Sequence, residues 1–143
     1  MSNEKFIGVW KLISLELRNS NGEIAYPMGQ DPEGYIFYSV DGFMSVAFME
    51  QGRRRFASND IRGGTLEERA EAAHGYFSYC GTYEVQEKQI IHHIEVSLIP
   101  NWISVDQVRL FEFDNDLLTL STPPFLVEGK EQTAHLVWKR CGR

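Results

Sequence analysis

QIIHHIEVSLIPNWISVDQVR, Gln89–Arg109, is the stretch whose reading decides the fold. Val and Ile recur through Ile90–Ile99, Gly is absent, and Pro waits until Pro100, which is the composition of a long β-strand. At period two, one face carries Ile90, His92, Ile94, Val96 and Leu98, and the other Ile91, His93, Glu95, Ser97 and Ile99. Pro100-Asn101 stops the strand and reverses the chain. A second strand then runs from Val105 to Asp114. Both faces of the first strand are partly apolar, and one also holds ionisable groups at mid-strand. A sheet with a solvated outer face alternates more cleanly. A closed barrel around a half-polar cavity accounts for the mixture.

Working outward toward the N-terminus, Gly81–Glu87 reads as the preceding strand, with Glu87-Lys88 as its turn. Before it, Thr65-Leu66-Glu67-Glu68 is a capping box, in which the Thr65 hydroxyl accepts from the Glu68 N–H and Glu68 reaches back. A helix is expected from there to Tyr79, with Leu66, Ala70, Ala73 and Phe77 as a narrow apolar stripe and the role of a plug or lid. Glu50–Gly64 is a polar connection containing Arg53-Arg54-Arg55. Phe43–Met49 and Gly34–Val40 are strands joined by Asp41-Gly42, a strong hairpin signal. Phe6–Arg18 is a long first strand in which Gly8 allows a close entry and Trp10 can plug the closed end.

Toward the C-terminus, Asn115-Asp116 turns into a strand at Leu117–Thr122, which Pro123-Pro124 ends, and Thr133–Arg140 is the last strand. The count is eight strands in antiparallel, up-and-down order. The expected fold is therefore an all-β, eight-stranded barrel spanning residues 1–143 as one domain, with one short helix between the third and fourth strands. Eight is the number at which a barrel can hold one small ligand.

A formal charge of −6 over 143 residues argues against nucleic acid or an anionic membrane as the main partner. Arg53–Arg55 stays open between a solvated loop tip and a phosphate site. Met1–Lys5 lacks the basic start and apolar core of a leader, so a cytoplasmic location is expected. Cys80 and Cys141 stand at no metal or redox spacing and should be free thiols, Cys80 as a small buried residue. His92 and His93 face opposite sides of a strand, and His74 and His135 show no ligand spacing. Neither a metal nor another cofactor is expected.

Taken in order, several short motifs resemble the bacterial and fungal lipocalin-like domain family. They are Gly8-x-Trp10, Tyr26-Pro27-x-Gly29, Gly34-Tyr35-Ile36-x-Tyr38, Asp41-Gly42-x-Met44, Tyr79-x-Gly81-x-Tyr83, His92-His93-x-Glu95, Pro100-Asn101-Trp102, Gln107-Val108-Arg109, Ser121-Thr122-Pro123-Pro124 and Trp138-Lys139-Arg140. Each is weak alone, and their order covers nearly the whole chain. The resemblance implies a lipocalin-like barrel whose Gly8 and Trp10 take structural roles at the closed end, with Arg140 over the indole. Ser104-Val105 departs from the Gly-Thr pair common in the family. The helix also lies elsewhere than the trailing helix of secreted lipocalins.

His93, Glu95, Ser97, Gln107 and Arg109 form the most suggestive set. With Glu95 opposite Arg109, His93 faces Phe111 and Ser97 faces Gln107, all on one side, whereas a one-residue slip breaks the set. Turned inward, the set orients a polar group of a ligand, or it supplies an acid/base pair with His93 and Glu95 as the catalytic candidates. Turned outward, it is a cross-strand ion pair contributing about 0.2–1 kcal/mol. The sequence leaves all three open. Tyr38, Tyr83 and Trp102 join the expected ligand contacts, with Trp102 divided between that role and a hydrophobic plug.

The leading expectation is a binder of a small hydrophobic or amphipathic molecule inside the barrel. An isomerase or cyclase using the His/Glu/Arg set is the alternative. A packed barrel that docks a protein through Trp102 and Arg53–Arg55 is the third. A homodimer is left open.

Overall fold

The computed structural model describes residues 3–142; Met1 and Ser2, which belong to the start read above as lacking a leader, lie outside them. Ten strands form one sheet: β1 (Gly8–Asn19), β2 (Ile24–Ala25), β3 (Glu33–Tyr38), β4 (Phe43–Met49), β5 (Tyr76–Val85), β6 (Gln89–Ser97), β7 (Asp106–Asp114), β8 (Leu117–Ser121), β9 (Phe125–Val127) and β10 (Lys130–Arg140). Helix α1 (Leu66–His74) joins β4 to β5, and a 3₁₀ turn at Pro100–Trp102 joins β6 to β7. Sequential antiparallel pairing runs from β3 through β8 to β10, and β1 pairs with both β3 and β10. Eight strands thus close on themselves, which removes the exposed edges. The two-residue β2 and three-residue β9 are short additions paired to β1 and β10.

Two bulges decide which side chains face inward. In β1, Leu12 lies opposite Trp138 but Ser14 lies opposite Val137, so Ile13 is the extra residue and the inward face runs Trp10, Leu12, Leu15, Leu17. In β6, Ile94 lies opposite Gly81 but Val96 lies opposite Cys80, so Glu95 is the extra residue. The inward face of β6 is Ile90, His92 and Ile94, all almost fully buried.

Gly81 is required at the second bulge, because a Cβ there would stand 1.9 Å from the His93 carbonyl oxygen. Gly81→Ala must push β5 and β6 apart. It is expected to lower stability by about 1–3 kcal/mol, the usual cost of overpacking. An unchanged denaturation midpoint in guanidinium would rule out the bulge as drawn.

One end of the barrel is packed solid. Phe6 meets Tyr38, Phe111 and Phe113 edge-on, with ring centroids 5.4, 4.9 and 4.9 Å apart. Trp10 donates its indole N–H to the Phe6 carbonyl at 2.9 Å, and the Arg140 guanidinium carbon sits 4.2 Å from the Trp10 ring centre. Arg140 also donates to the carbonyls of Ile7 and Lys5, tying the incoming chain across the plug.

Several local expectations need correction. The helix ends at His74, with Gly75 N–H bonding back to the Glu71 carbonyl, and Tyr76–Tyr79 are strand. Pairing with β4, where Met49 meets Tyr76 and Val46 meets Tyr79, overrides the helical spacing. The stripe fails with it, since α1 buries none of its residues and Leu66 is among the exposed apolar side chains. Cys80 is half-buried rather than buried.

Candidate functional site

Above the plug the barrel opens into a cavity of about 470 Å³. Its wall is largely apolar: Leu15, Leu17, Ile36, Val46, Phe48, Leu120 and Leu136 come from the staves, and Met28, Phe77, Trp102 and Phe125 stand toward the mouth. Ala73 and His74 bring the end of α1 to the same rim. The capping box holds this helix at its start, with Glu68 N–H donating to Thr65 Oγ1 at 3.1 Å and Thr65 N–H to Glu68 Oε1 at 2.9 Å. The basic run fastens the helix from outside: Arg53 donates to the Ala72 carbonyl at 2.9 Å, and Arg54 pairs with Glu71. Arg53 and Arg54 are thus occupied in holding α1 to its own preceding loop.

The polar floor is a chain of side chains centred on His92. Tyr38 Oη lies 2.7 Å from His92 Nε2, and Tyr79 Oη lies 2.7 Å from His92 Nδ1. Burial pushes the imidazole well below its ordinary range, and Arg109 and then His93 push the same way, so His92 is neutral. A neutral ring has one donor and one acceptor. Tyr38 is enclosed and His92 is its one hydrogen-bond partner among the described residues, so its O–H donates to Nε2. That assigns the proton of His92 to Nδ1, which donates to Tyr79 Oη. The Tyr79 O–H is then left as a donor, on a residue that lines the cavity. Burial raises the titration of both tyrosines, and the Arg109 guanidinium is close enough to Tyr79 to oppose the rise there.

Arg109 sits beside this chain, buried in the cavity wall with its guanidinium carbon 5.7 Å from the Trp102 ring centre. Nη1 donates to the Val108 carbonyl at 3.0 Å and more weakly to Gln107 Oε1 at 3.4 Å. No ion pair among the described residues includes it. Trp138 lines the same cavity, and its Nε1 is a buried donor without a partner among the described residues.

The His93/Glu95/Arg109 set is not assembled. Arg109 lies opposite Ile90 rather than Glu95, a displacement of five residues, and an odd displacement exchanges the faces of a strand. His93 is on the outer surface, 2.7 Å from Asp106 and 2.9 Å from Glu84. Its hydrogen bond to Asp106, with help from Glu84, raises its titration against a smaller loss from desolvation. Glu95 is the exposed residue of the bulge. The acid/base pair read from the sequence therefore has no access to the cavity, and Ser97 is separated from Gln107. Gln107 shares the inward face of β7 but does not line the cavity, where Arg109 and Trp102 do. Tyr38 stands behind His92, and Tyr83 packs against Tyr38 with centroids 4.9 Å apart while its hydroxyl donates to the Ser39 carbonyl. His92, Thr122 and Trp138 line the cavity without being marked as ligand contacts by the sequence, whereas Tyr79 belongs to the set of rings the sequence offers for an aromatic cavity. The signal for His92 was present, as a lone imidazole between Ile90 and Ile94 on one strand face.

Residues 7–141 match the family model described as a lipocalin-like domain. The chain belongs to the lipocalin-like domain family. A relative from Aspergillus oryzae, described as a 4'-hydroxy-3'-methoxypropiophenone carrier protein, is 33% identical over 109 residues, covering 70% of this chain and 98% of its own. A lipocalin-like protein from Bacteroides uniformis aligns over 94% of this chain and 97% of its own, with 13% identity and a TM-score of 0.47. A second Bacteroides protein, from Bacteroides eggerthii, aligns over 94% of this chain and 98% of its own at 12% identity and a TM-score of 0.46. In this lipocalin-like barrel the ligand-sized space and the buried polar chain occupy one place, between the aromatic plug and the rim at α1.

Proposed function

We propose that this lipocalin-like protein carries a small aromatic molecule with a polar end, held in the barrel with its ring against the apolar wall and its polar end toward Tyr79 and Arg109. The observation that carries the reading is the cavity itself. About 470 Å³ lies within the usual range of ligand pockets, and its wall is mostly apolar with a few convergent polar groups. The carrier description of the Aspergillus oryzae relative supports the same reading and suggests a one-ring aryl ketone as a first probe.

Trp102 and Trp138 both line the cavity, so intrinsic fluorescence reports its occupation. Titration with 4'-hydroxy-3'-methoxypropiophenone is expected to change the emission and saturate at one molecule per chain. Native mass spectrometry of protein from its own host, followed by denaturing extraction, should yield a stoichiometric aromatic compound. A flat titration together with a bare mass would count against the carrier reading.

A further inference from the structure

Among the few polar side chains in the largely apolar cavity wall, Arg109 and Tyr79 are donors, and none is a carboxylate. Although the chain carries a formal charge of −6, no aspartate or glutamate is among the residues lining the cavity. Arg109 brings a guanidinium cation into this wall. Burying such a cation without an opposite charge is costly, yet its contacts among the described residues go to neutral oxygens, Nη1 to Val108 and Gln107 and the guanidinium also to the Tyr79 hydroxyl. Beside it stands the Tyr79 O–H, freed by the His92 assignment.

We propose that the cavity takes its ligand as an oxyanion, a phenolate or a carboxylate, whose charge Arg109 neutralises while its oxygen accepts the Tyr79 O–H. The inference rests on the carrier reading and adds the charge state of the cargo. The partly buried site strengthens the pairing, because charges attract more strongly where the dielectric is low. For a phenol the balance is simple: the neutral ligand enters as its phenolate, the O–H bond breaks, and the proton passes to bulk water. A para acyl group favours this step, since the phenolate charge delocalises onto the carbonyl. Trp102, with its ring face against the guanidinium, holds the cation in place from the mouth side.

The test uses three probes on the full chain: 4'-hydroxy-3'-methoxypropiophenone, its neutral 4'-O-methyl ether, and 3,4-dimethoxybenzoate. Binding is followed by tryptophan fluorescence and by the absorption of the bound phenol, whose phenolate form absorbs at longer wavelength. The measurements are made at a pH where the free phenol is neutral. The expected result is a phenolate band for the bound phenol, proton release in calorimetry across two buffers, and at least about tenfold weaker binding of the ether, a loss of about 1.4 kcal/mol. Arg109→Met should erase both band and preference, and Arg109→Lys should keep part of each. A benzoate that binds in an Arg109-dependent way while the phenol binds weakly would support the proposal with a carboxylate as the source of the anion.

Phenol and ether binding alike to the native protein, with the neutral absorption spectrum, would overturn the oxyanion inference and leave the carrier reading standing. No binding of any probe would remove both. The spectrum of the native complex decides without any variant, so a poorly folded Arg109→Met does not blunt the test.

Discussion

His92→Phe is expected to cost the barrel about 2–6 kcal/mol, because it leaves two buried tyrosine hydroxyls facing a hydrocarbon ring. Each buried polar group stripped of its partner costs about 1–3 kcal/mol, and both ring nitrogens of His92 are engaged at 2.7 Å. Phenylalanine keeps most of the ring volume, so little of the loss comes from a void. The companion variant separates the causes. In His92→Phe with Tyr38→Phe, one orphaned hydroxyl is removed along with its lost partner, and about 1 kcal/mol or more should return. Guanidinium denaturation of the two proteins checks this. A single variant within about 0.5 kcal/mol of the native protein, the range of an ordinary surface change, would mean that water replaces the imidazole and the floor is wet.

The same residue sets the acid limb of stability. His92 titrates well below its ordinary 6.5 in the folded state, so the unfolded chain binds its proton first as the pH falls. Its contribution is fully present above pH 6.5 and is lost as the pH falls from there toward the depressed folded value, by at most about 1.4 kcal/mol per pH unit. His135, lowered by partial burial and Arg18, works in the same direction. His93 works oppositely: raised by Asp106, its contribution is complete below 6.5 and lost as the pH climbs through its folded value. That pair stands at the surface, where solvent screens it. Denaturation midpoints between pH 7 and 5 should therefore fall in the native protein and stay nearly level in His92→Phe.

Much of this architecture was written in short-range chemistry. The Asp41-Gly42 turn is legible because Gly42 adopts a φ of 94°, which a side chain would strain, between strands that pair as a hairpin. The capping box at Thr65 and Glu68 is equally local, and both of its hydrogen bonds form. The site was not legible in the same way. Its face depends on the Glu95 bulge and on where β7 meets β6, and neither leaves a mark in period-two alternation, since His92 and His93 offer an imidazole to either side. Ser104, in left-handed backbone at φ 64°, donates to the Ile94 carbonyl and extends the β6–β7 pairing into the connection. That fixes Arg109 opposite Ile90. The strand position of Tyr79 is obscured by a different conflict, as three- and four-residue spacing suggests a helix where the edge of β4 demands a strand. The helix itself carries no buried stripe, and only its last residues, Ala73 and His74, reach the cavity rim.

Filling the cavity should separate binding from folding most sharply. Ala134 lies on β10 opposite Leu17, is almost fully buried, and lines the space between the apolar wall and the polar floor. Ala134→Phe adds a ring at that point. In a close-packed core such an insertion costs about 1–3 kcal/mol through displaced neighbours, but here the ring has open volume to enter and gains contacts there. Its backbone N–H keeps the bond to Thr122 Oγ1, so the strand pairing is untouched. The melting temperature should therefore move by only a few degrees, the shift that corresponds to about 1 kcal/mol at this size. Affinity for 4'-hydroxy-3'-methoxypropiophenone should fall at least a hundredfold, a loss of about 2.8 kcal/mol. The comparison is calorimetry of probe binding alongside thermal melts of the same preparations. If affinity survives in a folded Ala134→Phe protein, the probe binds outside the barrel, and the apolar wall, Tyr79 and Arg109 do not form its site.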